Sequence, residues 1–226
     1  MVRQSNHQGV NRSHPQRIIG ITGGVGMGKT TVSDYLATVH HLPVLDADLY
    51  AREAVEPGSA VLSEIVDRYG STLLLSDGTL DRRRLGDIVF NSSAERIWLE
   101  QQVHPFVRDR MLTELNRLAP SYSTVVLVIP LLFEARMTDL VTEIWVVRSQ
   151  ADQQRERLMH RDRLNLEQIQ LRIDSQMAIE KKVEQADVVI DNSSGLAKLY
   201  QQVDRALSSP QPMRSWDDAK PIDSLE

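Results

Sequence analysis

An α/β fold with a parallel sheet is predicted by three observations. Short Val- and Ile-rich runs alternate along the chain with stretches in which apolar residues recur at helical spacing. The runs are apolar on both faces, as buried parallel strands are. The first of them turns directly into a glycine cluster that opens a helical pattern. In such folds crossovers are right-handed, and ligands sit beyond the carboxyl ends of the strands.

The strand candidates are Arg17–Thr22, Pro43–Leu45, Thr124–Ile129, Glu143–Val147 and Val188–Ile190, each bounded by turn residues. Val32, Leu36 and Val39 mark a helix after the glycine cluster. "SSAE" at 92–95 reads as a capping box, with Ser92 as N-cap and Glu95 three positions on. Leu99, Val103, Val107, Met111 and Leu115 then repeat every four residues. Pro105 lies inside that series and predicts a kink or two abutting helices. Asn165 caps another helix in "NLEQ", and Leu196, Leu199, Val203 and Leu207 mark the last one. No internal repeat is visible.

The 226 residues suffice for one sizeable core. A net charge of −5 gives no global reason to bind nucleic acid, so an anionic ligand must meet a local basic site. The absence of cysteine excludes disulfides, thiolate zinc sites and cysteine nucleophiles. The longest apolar runs, such as "VVLVIPLLF" at 125–133, are too short to span a bilayer. No membrane and no nucleic-acid partner is expected, and a reducing, cytoplasmic setting fits. Residues 1–16 are acid-poor without an apolar core or helical face, against a signal or transit peptide. They read as a disordered tail or as a start placed too far upstream. Residues 208–226 hold three prolines and read as a flexible tail.

"GGVGMGKT" satisfies G-x-x-x-x-G-K-[ST], with Gly23, Gly28, Lys29 and Thr30 in the fixed positions. Glycines let successive backbone N–H groups curl around phosphate oxygens, and the following helix start adds partial positive charge. Lys29 reaches the β- and γ-phosphates, and the Thr30 hydroxyl can ligand Mg²⁺. Gly24, Val25, Gly26, Met27, Gly28, Lys29, Thr30 and Thr31 are therefore the candidate contacts to a magnesium-bound nucleoside triphosphate. The loop by itself does not distinguish a kinase, a GTPase or an ATPase.

"VLDAD" puts Asp46 and Asp48 at the mouth of the second strand, where extended alternation points both carboxylates one way. One could approach the metal, and the other, ionised at neutral pH like any exposed Asp, could accept a hydroxyl proton. An ordinary acidic helix start would look the same. "QQRERLMHRDRLNLEQ" carries Arg155, Arg157, Arg161 and Arg163, with Arg157 and Arg161 on one helix face. They suit a flap over transferring phosphate, or a solvated, salt-bridged helix. "ADVVIDNSS" ends a strand in a polar turn.

In series, "TGGVGMGKTT", "DADLYAREAVEPGS", "DGTLDRRRLGDIVF", "LEQQVHPFVR", "IPLLFEA", "VVRSQADQQRERLMHRD" and "ADVVIDNSS" resemble the dephospho-CoA kinase family, from about Ile18 to Leu207. The resemblance implies a P-loop kinase fold: a five-stranded parallel sheet flanked by helices, a helical substrate-binding part at about 50–118 and a lid at about 155–168. It implies phosphate transfer from ATP to the 3′-hydroxyl of the ribose of dephospho-CoA. Asp48 then matches the catalytic base, with Asp46 beside it at the metal and substrate edge. Arg161 matches the lid arginine on the ATP phosphates, and Asn192 falls near adenine. Arg82, Leu85, Phe90, His104, Pro105 and Glu134 fall at the acceptor pocket, although Leu85 and Phe90 also suit a core, and His104 a helix kink. Many members carry an Asp two residues before the proline of "PLLFE", where this chain has Val128. Magnesium must then lean on Thr30, ATP phosphates, waters and the Asp46/Asp48 pair. A monomer is expected, with oligomerisation left open.

Two rivals share the loop. Another small-molecule P-loop kinase, acting on a nucleoside or nucleotide, would not explain "DGTLDRRRL", "HP" and "PLLFE" together. A GTPase-like switch should carry N-K-x-D, and no such tetrapeptide occurs.

Overall fold

The computed structural model describes Pro15 and residues 17–162 and 165–209. The expectations for the two tails beyond Pro15 and Ser209, and for Arg163, lie outside the described residues. In chain order the elements are β1 (Arg17–Gly23), α1 (Lys29–Thr38), β2 (Val44–Asp46), α2 (Ala47–Glu53), α3 (Ala60–Tyr69), α4 (Arg82–Asn91), α5 (Ser93–Leu118), β3 (Thr124–Val128), β4 (Glu143–Arg148), α6 (Ala151–Asp162), α7 (Leu166–Asp174), α8 (Ile179–Glu184), β5 (Val188–Asp191) and α9 (Leu196–Ser208). Short 3₁₀ turns add Ser71–Leu73 and Thr138–Leu140.

The five strands pair in parallel in the order β2-β3-β1-β4-β5. Alternation along each strand feeds two cores, one on each face. Ile18, Val125, Leu127, Ile144 and Val146 pack with α2 and α5, through Tyr50, Val107, Met111 and Leu115. Ile19, Ile21, Val126, Val128, Trp145 and Val147 pack with α1 and α9, through Val32, Leu36, Leu199 and Val203. A third cluster, including Val55, Leu62, Ile65, Leu73 and Leu85, joins α2, α3, α4 and α5 into the helical part. Val128 thus belongs to the core, 5% exposed, where its side chain offers nothing to a metal.

Two helix expectations change. The series through Pro105 forms one continuous helix, α5, rather than two. The proline ring sits on the exposed side, while Val107, Met111 and Leu115 keep the opposite face buried. Burial of that face outweighs the backbone hydrogen bond lost at the proline. Ser92 does cap α5 by accepting from the Glu95 N–H at 3.3 Å, but the reciprocal half of the box is absent. The Glu95 carboxylate instead accepts from Arg68, at 2.8 and 3.0 Å, and from Tyr69. The cap of α7 is complete: Asn165 and Gln168 exchange both hydrogen bonds.

The registers bring the chemistry to one edge. Asp46 lies beside Val128, which lies beside Ile21, while Gly23 lies beside Val147 and Arg148 beside Asp191. The segments leaving these strands therefore converge at the carboxyl end of the sheet.

Candidate active site

The phosphate loop joins β1 to α1. Gly28, the residue before the helix, has φ +102°, a conformation other residues adopt only with strain. A Cβ there would also overlap Asn192 Nδ2. Asn192 is buried beneath the loop and donates from Nδ2 to Met27 O at 3.0 Å. It braces the phosphate loop.

Lys29 Nζ donates to the carbonyls of Gly23 and Gly24 at 3.0 and 2.9 Å. Its pKa is lowered to about 8, chiefly by burial and next by the Lys182 cation, with Asp48 pulling the other way. Lys182 is fully buried and pairs with Glu134 at 2.8 Å, donating also to Pro130 O at 3.0 Å. Glu134 accepts from Met177 N–H as well, at 2.9 Å. Its carboxylate is thus committed to holding the segment after β3 against α8. The sequence marked Glu134 but passed over Lys182, which looks like one more surface lysine in "EKKVE".

Asp46 and Asp48 are brought together differently from expectation. Asp46 ends β2 and caps α2, its Oδ1 accepting from Asp48 N–H at 2.8 Å. Asp48 lies in the first helical turn, not in an extended segment. The approach of the two carboxylates comes from the cap, not from strand alternation. Asp48 faces the open cleft, yet its pKa is raised above the ordinary carboxylate value expected of an exposed Asp. The surrounding walls desolvate it and the Asp46 charge adds to this, against Lys29 and Arg52.

A cleft of about 1050 Å³ collects these groups. Its lining includes Val25, Gly26, Gly28, Lys29, Thr30 and Thr31 from the loop, Asp48, Pro130 and Leu131, and Arg157, His160 and Arg161 from α6. Gly24 and Met27 instead line a smaller cavity of about 390 Å³ behind the loop. Arg161 pairs with Asp162 at 2.7 and 2.9 Å, and its charge reaches Lys29. Arg157 donates from Nη2 to Asn192 O at 3.1 Å. Among the described residues its buried Nη1 has no hydrogen-bond partner, a costly state that an anion in the cleft would relieve. The i, i+4 spacing signalled Arg157, but only the fold aims it at the loop.

A second cleft of about 300 Å³ opens between α2, α4 and α5. It is lined by Arg82, Leu85 and His104, with Ala51, Val55 and Val103 supplying apolar walls. Burial lowers the His104 pKa, opposed by Glu100, and so favours the neutral ring. Phe90 and Pro105 line neither cleft: both are exposed, Phe90 by 62%.

Among the described residues no three carboxylates or histidines form a metal cluster. The cleft does present the Thr30 hydroxyl and the Asp48 carboxylate together. Such a sparse oxygen set suits Mg²⁺, which keeps several waters and relies on substrate phosphates.

The pattern that defines dephospho-CoA kinases matches residues 17–198. The chain belongs to the dephospho-CoA kinase family. It is 56% identical to the dephospho-CoA kinase of Trichormus variabilis over 194 residues, covering 85% of this chain and 97% of that one. It is 52% identical to that of Synechocystis, over 84% of this chain and 94% of the relative. The solved dephospho-CoA kinase of Campylobacter jejuni superposes with a TM-score of 0.64 at 28% identity, covering 84% and 95% of the two chains. A solved Thermus thermophilus protein gives 0.74 at 35% identity, over 86% and 97%. The fold is that of P-loop kinases, a parallel sheet with helices on both faces, as the dephospho-CoA kinase resemblance implied. Among the described residues no helix is long and apolar enough to cross a membrane.

Proposed function

We propose that the chain transfers the γ-phosphoryl group of ATP to the 3′-hydroxyl of the ribose of dephospho-CoA, giving coenzyme A and ADP. The observation that carries this reading is the shared cleft of Lys29, Asp48 and Arg161 in a chain of this family. The ribose oxygen attacks the γ-phosphorus, the bond to the ADP oxygen breaks, and Asp48 takes the hydroxyl proton. Lys29 leaves its carbonyl partners for the β- and γ-phosphates. Loop N–H groups of Gly26 and of Gly28 to Thr31 cradle the same phosphates, with Asn192 holding the cradle from below and Gly24, Val25 and Met27 shaping its back. Arg161 and Arg157 offset charge on the transferring group. Thr30 would hold Mg²⁺ together with the phosphates, and the ion would stabilise negative charge on them; Asp46 keeps Asp48 in place.

The second cleft takes the acceptor, with Arg82 and His104 as polar contacts and Leu85 as an apolar wall; Glu134 serves the acceptor indirectly, by ordering the segment after β3 whose Pro130 and Leu131 line the main cleft. Phe90 and Pro105 stand outside it. The enzyme works as a monomer in the cytoplasm, with residues 17–207 as one domain, about 50–118 serving the acceptor and about 155–168 serving as lid. A coupled assay with dephospho-CoA, followed by locating the new phosphate on the product, tests this. Turnover of a nucleoside in place of dephospho-CoA would overturn it in favour of another P-loop kinase. Acceptor-independent hydrolysis at the coupled rate would favour a nucleotide switch.

The Lys29 pKa of about 8 gives a pH signature. Bound triphosphate favours the ammonium form and raises that pKa, so between the free and bound values binding takes up a proton. ATP affinity is expected to be flat below about pH 7 and to fall as pH rises through 8. Calorimetry at pH 8.5, in buffers of different ionisation heat, should register proton uptake. No uptake there would mean that Lys29 is already fully charged in the free protein.

A further inference from the structure

The backbone N–H and C=O of Val25, in the phosphate loop, are each held by a glutamine distant in sequence. Gln176 Oε1 accepts from Val25 N–H at 2.9 Å. Gln154 Nε2 donates to Val25 O at 2.7 Å. Gln154 stands on α6, only 4% exposed, and Gln176 follows α7 and lines the main cleft. The two positions bracket the segment that carries Arg157 and Arg161. The loop is shaped to admit them: a Cβ on Gly24 would come within 3.1 Å of Gln154 Nε2, and one on Gly26 within 3.0 Å of Leu158 Cγ on α6.

We propose that Gln154 and Gln176 are positioning residues that hold the two peptide groups flanking Val25, presetting the phosphate loop for ATP and tying its shape to the lid. The inference rests on the assignment of ATP to this loop. A loop rich in glycine samples many conformations, and ordering it during binding weakens the affinity. One hydrogen bond to each of the two peptide groups flanking Val25 restricts their rotation before the nucleotide arrives. Neutral amides suit the task, because a carboxylate beside the cleft would repel a triphosphate and an ammonium would compete with Lys29. Because the two glutamines flank the lid, a shift of α6 or of the segment after α7 moves the loop as well.

The test uses Gln176→Met and Gln154→Met, which keep side-chain volume and delete the polar atoms, and Gln176→Glu, which keeps the acceptor. Each Met variant should raise KM for ATP about two- to tenfold, the value of one hydrogen bond. KM for dephospho-CoA should stay unchanged, and amide exchange should quicken across residues 24–29. In Gln176→Glu the slow exchange should return while KM for ATP stays raised, because its charge faces the phosphates. Unchanged exchange, or both KM values rising together with a lower melting temperature, would overturn the proposal. If the buried Gln154→Met variant does not fold, the half-buried Gln176→Met decides alone. Failure of the parent protein to use ATP would instead remove the ATP assignment, and the exchange data would still read the brace.

Discussion

Lys29→Ala should lower turnover about 10²–10³-fold, the usual loss for one preorganised charge-stabilising donor, while the protein stays folded. Lys29 meets only the carbonyls of Gly23 and Gly24 within the loop. Gly23 and Gly24 are buried, but Lys29 itself lines the cleft, so water can follow into the space alanine leaves and reach the two carbonyls. The cation also stands in repulsion with Lys182 and Arg161, which lower its pKa, and removing it relieves that repulsion. Stability should therefore change little while the γ-phosphoryl group loses its principal counter-charge. Steady-state kinetics paired with thermal melts check both halves. A folded variant with more than about a tenth of parental turnover would take Lys29 out of the chemistry.

The second large effect is expected for Asp48→Asn, a loss of about 10²–10⁴-fold, since the amide cannot take the ribose proton. Stability runs in the opposite direction. Asp48 has a raised pKa in the fold, so its ionised form is disfavoured there relative to the unfolded chain. A group of this kind opposes folding fully above its raised folded pKa, and that penalty fades as pH falls through that value and is gone below the unfolded pKa. Asparagine removes the penalty at neutral pH, so the variant should melt at the same temperature or higher, as happens when a strained catalytic group is neutralised. The parent enzyme's acid limb in kcat/KM should lie above the ordinary Asp range and vanish in the variant. Near-parental turnover in Asp48→Asn would remove the base assignment.

These two residues show how far local reasoning reaches. The motif singles out Lys29, because a glycine loop before a helix leaves few alternatives for a following lysine, and the fold places it in the cleft with Asp48. "VLDAD" singles out Asp46 and Asp48, but their geometry is not strand alternation: the chain enters α2 at Ala47 and Asp46 becomes its cap. Either local geometry is compatible with the five letters; the pull of Tyr50 into the core beside α5 selects the helix. Of the two outcomes Pro105 predicts, two abutting helices do not occur, since burial of Val107, Met111 and Leu115 carries α5 through it.

The strand runs and the phosphate loop were determined by sequence alone, because each depends on residues adjacent in the chain: apolar runs, glycines and one lysine. The tertiary structure alone decided what surrounds them. Gln176 meets Val25 across 151 positions, Lys182 meets Glu134 across 48, and Arg157 meets Asn192 across 35. Gln176 and Lys182 read as ordinary surface in the sequence, and the spacing of Arg157 does not name its partner. Each acquires its contacts because sheet order and helix packing bring distant segments together and take hydration from polar groups that must then find protein partners.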